Sequence, residues 1–213
     1  MIVNEKSLIK SSKIGCYPTV DALCATLPRS VRVHMKVVGK YANILYQYLA
    51  ESDKKDMLYD MGEEFGQYSE EIFALHDIGR HYIPFELLNK VEGLNEEEKQ
   101  IIKNHTVNAH RAIQSIYIQP FPKEITKQWE KIALYHHERY DGKGYPEGLC
   151  KEEIPIGARI CAIADTYDGI VSWKPYKKKQ TTKQEAIRII EKESGGQFQP
   201  ELVEVFKRCV NRF

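Results

Sequence analysis

The sequence has no CxxC pair, no low-complexity tract, no internal repeat and no run approaching the roughly 18 apolar residues that a membrane span needs. Its five cysteines, Cys16, Cys24, Cys150, Cys161 and Cys209, are an odd set. That argues against a disulfide framework and against a thiolate zinc site, and it reads as reduced thiols in a reducing compartment. The N-terminal residues lack the apolar core of a signal peptide, so a cytoplasmic location is expected. Charge of one sign is scarce too. The 31 Lys and Arg against 30 Asp and Glu leave a net charge of +1, which gives no global drive toward a DNA or RNA polymer or an anionic membrane. Any phosphate recognition has to come from a local cluster of cations. What remains is an ordinary globular composition, 42% hydrophobic and 29% charged over 213 residues. A chain of this size suits one domain with at most a short appendage and buries roughly 70% of its unfolded surface.

Alternating strand patterns are missing as well. Residues 1–28 are mixed and interrupted by Gly15, Pro18 and Pro28; they read as a short, partly ordered lead-in, too brief for a sensor domain, ahead of one domain over residues 29–213. In that domain helical periodicity dominates. Val31, His34, Val38, Ala42, Leu45 and Leu49 share one stripe, and Phe65, Tyr68, Ile72 and Leu75 a second. Ile101, His105, Ala109 and Ala112 form a third, Trp129, Ile132, Ala133 and His136 a fourth, and Ala158, Cys161, Ala162 and Asp165 a fifth. Thr182 is placed to cap a helix that stops at Gly195-Gly196, and Pro200 stands where a first helical turn accepts proline. The pattern predicts an all-α bundle.

The unusual feature is what occupies those apolar faces. His34, His76, His105, His136 and Asp165 lie on or at the edge of the stripes, with Asp77 and His137 as immediate neighbours. A single histidine on an apolar face is ordinarily a satisfied core residue. Five histidines and two aspartates spread over five helices are harder to explain that way, because a buried carboxylate is costly unless paired or bound to metal. His81 and His110 fall outside the set and receive no role. Imidazole and carboxylate donors without thiolate suit iron, manganese or zinc. Seven donors exceed the needs of one ion and suit two that share a carboxylate. Asp77 is the candidate bridge, with His76 beside it anchoring one ion. Two such ions can bind a phosphodiester, lower the pKa of water and stabilise the leaving oxygen.

The stretch from His136 to Pro146 reads HHERYDGKGYP. It resembles the HHExxDGxGYP signature of the HD-GYP branch of the HD-domain phosphohydrolases. The agreement continues in HDIGR from His76, Ile83-Pro84, Gly148-Leu149, Ile154-Pro155, Ala158-Arg159-Ile160, Ala164-Asp165 through Asp168, KPYK from Lys174 and QFQP from Gln197. It spans about residues 29 to 210. The resemblance implies an HD-domain helical bundle with a short C-terminal helical extension, and a phosphodiesterase of bacterial signalling. It also implies two divalent metal ions, most plausibly iron or manganese: His34, His76, Asp77 and Asp165 would hold one, and Asp77, His105, His136 and His137 the other. The implied substrate is cyclic di-GMP, opened to the linear dinucleotide and in some members cut to GMP; other members prefer the mixed cyclic GMP-AMP. Arg80, Lys174 and Lys177 occupy the positions of the family's phosphate-contacting cations, and Gly144-Tyr145-Pro146 would shape the nucleotide pocket.

Several of these positions keep a second reading. Tyr145 equally suits packing in a tight Gly-Pro turn. Lys178 and Lys179 extend a positive patch or a solvated face, and Trp173 and Tyr176 stack on guanine or fill the core. Asp168 follows Asp165 by about one turn and orients a ligand or water, or lies on the helix surface. Arg80 stands for the family's lysine, keeping the charge with a different shape. Ser30 stands where some members carry a glutamate for a third metal, which favours two. Gln199 stands for the usual aspartate of QFDP. Competing functions are a cyclic-dinucleotide receptor without turnover and a hydrolase of another phosphate ester. The regulatory input is expected through a homodimer contact or a separate sensor protein.

Overall fold

The computed structural model describes residues 16–91, 93–172 and 181–213. Among them the architecture is helical, with only two isolated bridge pairings, Tyr17 with Ile116 and Ser194 with Phe198. The expected all-α class is what is observed. No helix among the described residues is long and apolar enough to cross a membrane.

The order is α1 (Val20–Cys24), α2 (Arg29–Ala50), α3 (Phe65–Ala74), a 3-10 helix (Leu75–Tyr82), α4 (Phe85–Leu88), α5 (Glu96–Lys103), α6 (His105–Gln114), α7 (Lys123–Tyr135), α8 (Ile156–Val171), α9 (Lys183–Lys192) and α10 (Pro200–Cys209), with shorter 3-10 turns between and after them. The long α2 packs on α3, α8 and α10; the Leu75–Tyr82 helix lies against α6 and α7, and α7 against α8. Helices α9 and α10 form the expected C-terminal extension and cover α8.

The stripes fold as their periods demand, with one exception. Val31, Val38, Ala42, Leu45 and Leu49 of α2 are buried in one core with Phe65, Ile72, Trp129, Ile132, Ala133, Cys161 and Ala162. Ile101 is the exception, at 41% exposure. The chain breaks at Asn104 between α5 and α6, so Ile101 and Ala109 belong to two helices and do not share a face. A second break follows Ala74, where α3 tightens into the 3-10 helix. The tighter winding shifts the direction of every side chain after Leu75.

Thr182 caps α9 as expected, in a reciprocal capping box with Glu185. Helix α9 ends at Lys192, and Gly195 follows with a φ of +77°. Pro200 opens α10. The expected domain start at residue 29 coincides with the first residue of α2, but the described part of the lead-in belongs to the same core, through Val20, Leu23 and Leu27. The lead-in also ties down the Leu75–Tyr82 helix. The Thr26 hydroxyl donates to the Leu23 carbonyl, so it accepts from His81 Nδ1 at 2.8 Å, which leaves His81 Nε2 to accept from the Tyr17 hydroxyl at 3.1 Å.

Candidate metal centre

Five elements deliver the seven expected ligands to one place: α2, the Leu75–Tyr82 helix, α6, the end of α7 and α8. The approach is close because of Gly79. A Cβ there would collide with the His105 carbonyl and stand 2.7 Å from the Ala109 nitrogen. Only glycine lets the backbone of the 3-10 helix touch the backbone of α6. That contact brings Asp77 Oδ1 to 3.2 Å from His105 Nε2.

Asp77 is the hub and is completely buried. Its Oδ1 faces His105 and, at 3.9 Å, His136 Nε2. Its Oδ2 faces His76 Nε2 at 3.4 Å and His34 Nε2 at 3.7 Å. His34 Nε2 in turn lies 3.0 Å from Asp165 Oδ1. His105 and His136 approach within 3.4 Å through their Nε2 atoms, and the His136 and His137 rings are 4.2 Å apart. Two groups of potential ligand atoms emerge, each drawn together within 4.8 Å: His34, His76 and Asp77, and separately His105, His136 and His137. The implied sets are larger by one carboxylate each: they add Asp165 to the first group and Asp77 to the second.

The outer partners are equally ordered. His76 Nδ1 bonds the Phe73 carbonyl at 2.9 Å, His105 Nδ1 the Ile102 carbonyl at 2.6 Å, and His136 Nδ1 the Ala133 carbonyl at 3.1 Å. Donation to a carbonyl places the ring proton on Nδ1 and leaves the Nε2 lone pair facing the centre. His34 differs. Its Nδ1 lies 2.6 Å from Asp168 Oδ2, and the Ser172 hydroxyl donates to Asp168 Oδ1 at 2.8 Å. Asp168 is therefore buried and orients His34; it is not a helix-surface aspartate.

Charge states follow from these neighbours. Burial alone would raise the Asp77 pKa, but the Arg80 guanidinium and His76 outweigh it and hold the carboxyl well below the usual range. Burial works against charging His34, yet the Asp165 and Asp168 carboxylates overcome it and lift its pKa to about 10. Burial pushes His105 down to about 3, with Arg80 and His137 adding to it against Asp77. Burial likewise holds His136 and His137 below their ordinary value. His105, His136 and His137 are thus held neutral and Asp77 ionised, the forms that bind metal, whereas His34 has to give up a proton to do so.

The donor set fits two divalent cations. His76 Nε2 and both Asp77 oxygens are buried without an aligned hydrogen bond, a costly condition that a cation relieves. Arg80 Nε comes within 2.6 Å of Asp77 Oδ2 but also lacks an aligned bond. The centre is not sealed. The side chains of His34 and Asp165 are each 18% exposed and that of Arg80 23%, so solvent approaches from their side.

The loop after α7 roofs the second group. Tyr145 stacks on His137, with ring centroids 4.9 Å apart and planes at 23°. Glu138, which sequence reasoning passed over, holds this loop: it is buried, and its Oε1 accepts from the backbone nitrogens of Glu147 at 2.7 Å and Gly148 at 3.0 Å. A Cβ at Gly144 would run into the backbone of Glu138 and Arg139, so the second glycine of the motif is needed for the fold-back. Gln199 makes no helix cap; its side-chain oxygen accepts from Arg159 Nη1 instead. His110 pairs with Glu130 at the surface. Lys174, Lys177, Lys178, Lys179, Trp173 and Tyr176 lie outside the described residues.

Comparison with known proteins gives the family and the fold. The HD domain model matches residues 69–202. The chain belongs to the HD domain family. Its HHERYDGKGYP segment sets it in the HD-GYP branch. Among curated relatives, the cyclic di-GMP phosphodiesterase of Thermotoga maritima is 44% identical over 132 residues, 62% of this chain and 34% of that protein. The 3'3'-cGAMP-specific phosphodiesterase 2 of Vibrio cholerae is 31% identical over 187 residues, 88% of this chain and 34% of that protein. The chain thus spans about a third of the length of these relatives. Among solved structures, Bd1817, an HDG"Y"P protein from Bdellovibrio bacteriovorus, shares the fold. Its TM-score is 0.61 at 18% identity, over 90% of this chain and 56% of that one.

Proposed function

We propose that this HD-GYP domain hydrolyses a phosphodiester bond of a cyclic dinucleotide, with cyclic di-GMP as the first substrate to test, at a pair of divalent iron or manganese ions. The observation that carries the reading is the division of Asp77: one oxygen faces His105 and His136, the other His34 and His76. One carboxylate spanning two groups of imidazoles is what a dinuclear centre requires. The likeness to relatives named for cyclic di-GMP and cyclic GMP-AMP supports the substrate class.

His34, His76, Asp77 and Asp165 would hold one ion, and Asp77, His105, His136 and His137 the other. Bound there, the ions supply charge neutralisation for the phosphodiester and a water of lowered pKa. The chain's own groups do the rest. Asp168 fixes the His34 ring through Nδ1. Arg80, on the open side of Asp77, offers a guanidinium to the non-bridging phosphate oxygens. Tyr145 closes the site over His137 against bulk water. Lys174 and Lys177 are assigned to substrate phosphate on the family pattern.

The test is a chromatographic product assay on cyclic di-GMP and 3'3'-cGAMP with anaerobically iron-loaded and manganese-loaded protein, beside Asp77→Ala. Linear dinucleotide or GMP is expected from the wild type, with no product and no bound metal in the variant. Turnover by metal-quantified Asp77→Ala overturns the scheme. A receptor without turnover is the second reading, favoured by the Arg80 guanidinium standing against Asp77, the carboxylate that two ions would share; tight binding with no product identifies it.

A further inference from the structure

We infer that Lys103 holds the second, uncleaved phosphate of the cyclic dinucleotide and so selects for a substrate with two phosphodiesters. The inference rests on the function proposed above and adds a residue that the motifs do not contain.

A cyclic dinucleotide carries its two phosphodiesters on opposite sides of one small macrocycle. When one is at the metal centre, the other lies a ring's width away, still negatively charged. It needs a cation outside the ligand set, on the rim. Lys103 ends α5, two residues before His105. Its ammonium stands 5.1 Å from the centroid of the Tyr145 ring, and Tyr145 is stacked on His137. The cation is therefore one aromatic ring removed from the second ligand group.

Its other surroundings leave it available. Glu96 pairs with Lys99 at 2.7 Å and Glu98 with Lys90 at 2.7 Å. Among the described residues Lys103 forms no ion pair, and the half-buried side chain meets the Tyr145 face. An ammonium resting on a phenol ring is held in place by a modest attraction and keeps its N–H donors for an anion. Arg80 cannot serve both phosphates, because its guanidinium is committed to the Asp77 side of the centre. The division of labour is then geometric: Arg80 and the ions at the cleaved phosphate, Lys103 across Tyr145 at the spectator.

The experiment compares the wild type, Lys103→Met and Lys103→Arg, all full chain and metal-loaded, on cyclic di-GMP and on bis(p-nitrophenyl) phosphate, which has a single phosphodiester. The ratio of KM for cyclic di-GMP to KM for the simple diester is expected to rise about tenfold in Lys103→Met. That is the size of one charge-assisted hydrogen bond at a partly exposed position. Lys103→Arg should restore the ratio to within about twofold, since the charge is kept. Metal stoichiometry is read alongside. A purely structural role would move both substrates together, and that result, or an unmoved ratio, overturns the inference. Calorimetric binding of cyclic di-GMP separates it from the parent reading. If the wild type binds without cleaving and Lys103→Met binds about tenfold more weakly, the phosphate contact stands and the hydrolase reading falls. If both bind equally the contact is refuted, and if neither binds both ideas fail.

Discussion

Gly79→Ala is a one-carbon test of how the centre is assembled. The added Cβ would overlap the His105 carbonyl and stand 2.7 Å from the Ala109 nitrogen and 3.0 Å from the His105 carbonyl carbon. Every one of these is a backbone atom, so no rotamer change relieves the clash. The Leu75–Tyr82 helix and α6 have to separate by on the order of 1 Å before the new carbon reaches an ordinary contact distance. Overpacking of this kind costs about 3 kcal/mol, the upper part of the usual range, because neither helix can yield locally. The loss of unfolded-state freedom on replacing glycine returns less than about 1 kcal/mol of that. For a chain of this length the net corresponds to a fall in Tm of roughly 5–10 °C. The same separation opens the 3.2 Å approach of Asp77 to His105, so the second ion should be lost before the first. Circular-dichroism melts in chelator and elemental analysis after reloading read the two effects. Gly169→Ala is the matched control: it lies inside α8, where among the described residues a Cβ meets nothing within 4 Å, so the identical change should raise stability by about 0.5–1 kcal/mol. If Gly79→Ala melts within about 2 °C of the wild type and keeps both ions, the close backbone contact is not what builds the site.

Asp168→Asn keeps the shape but removes the charge behind His34, and it should weaken the ion at His34, His76 and Asp77 about 10–100-fold while sparing the His105, His136 and His137 group; metal titration checks this, and an equal loss at both groups contradicts it. In metal-free protein, stability should peak near neutral pH. His34, lifted by Asp165 and Asp168 against its burial from 6.5 to about 10, contributes stability that is full below about 6.5 and fades as pH rises through 10. His105, pushed by burial to about 3, acts the other way: unfolding takes up a proton below 6.5, so stability is lost as pH falls toward 3. Melts across that range in chelator should show a decline on both sides, the alkaline one removed in His34→Gln; an alkaline limb identical in that variant speaks against the assignment.

Much of this was legible because burial and chemistry coincide. The five stripes named the helices that meet, and histidine or aspartate on or beside each stripe named the candidate donors. Two kinds of information were not in the periodicity. A helix break does not announce itself when the residues are good helix formers, as at Ala74-Leu75; Asn104, a weaker helix former, was a signal that the apolar period through Ile101 and His105 overrode. Ile101 was misplaced for that reason. Partner identity was also hidden. Asp168 had two readings from spacing alone, and only the structure shows that its carboxylate backs His34; it likewise shows the Gln199 amide oxygen accepting from Arg159. Glu138 was hidden differently: its partners are backbone nitrogens nine and ten residues away, and backbone groups leave no trace in sequence.

The breaks that defeat the period are also what position the candidate ligands. His76 follows the end of α3, His105 follows the end of α5, and His136 caps the end of α7. At each such end the last carbonyls have lost their usual helical donor. Phe73, Ile102 and Ala133 present theirs, and each is taken by the Nδ1 of the histidine three residues later. One bond then does two things. It gives a helix-end carbonyl a donor, and it fixes the imidazole tautomer with Nε2 directed at Asp77. A histidine in mid-helix could not be held this way, because its i−3 carbonyl already accepts from the backbone N–H of the next residue. His34 is in mid-helix, four residues past Ser30 in α2, and it is the one that needs a carboxylate, Asp168, in place of a carbonyl. The ordering of the centre therefore depends on where helices stop. An insertion that moved a break by one residue would turn a ring away from Asp77 while leaving the helical content almost unchanged.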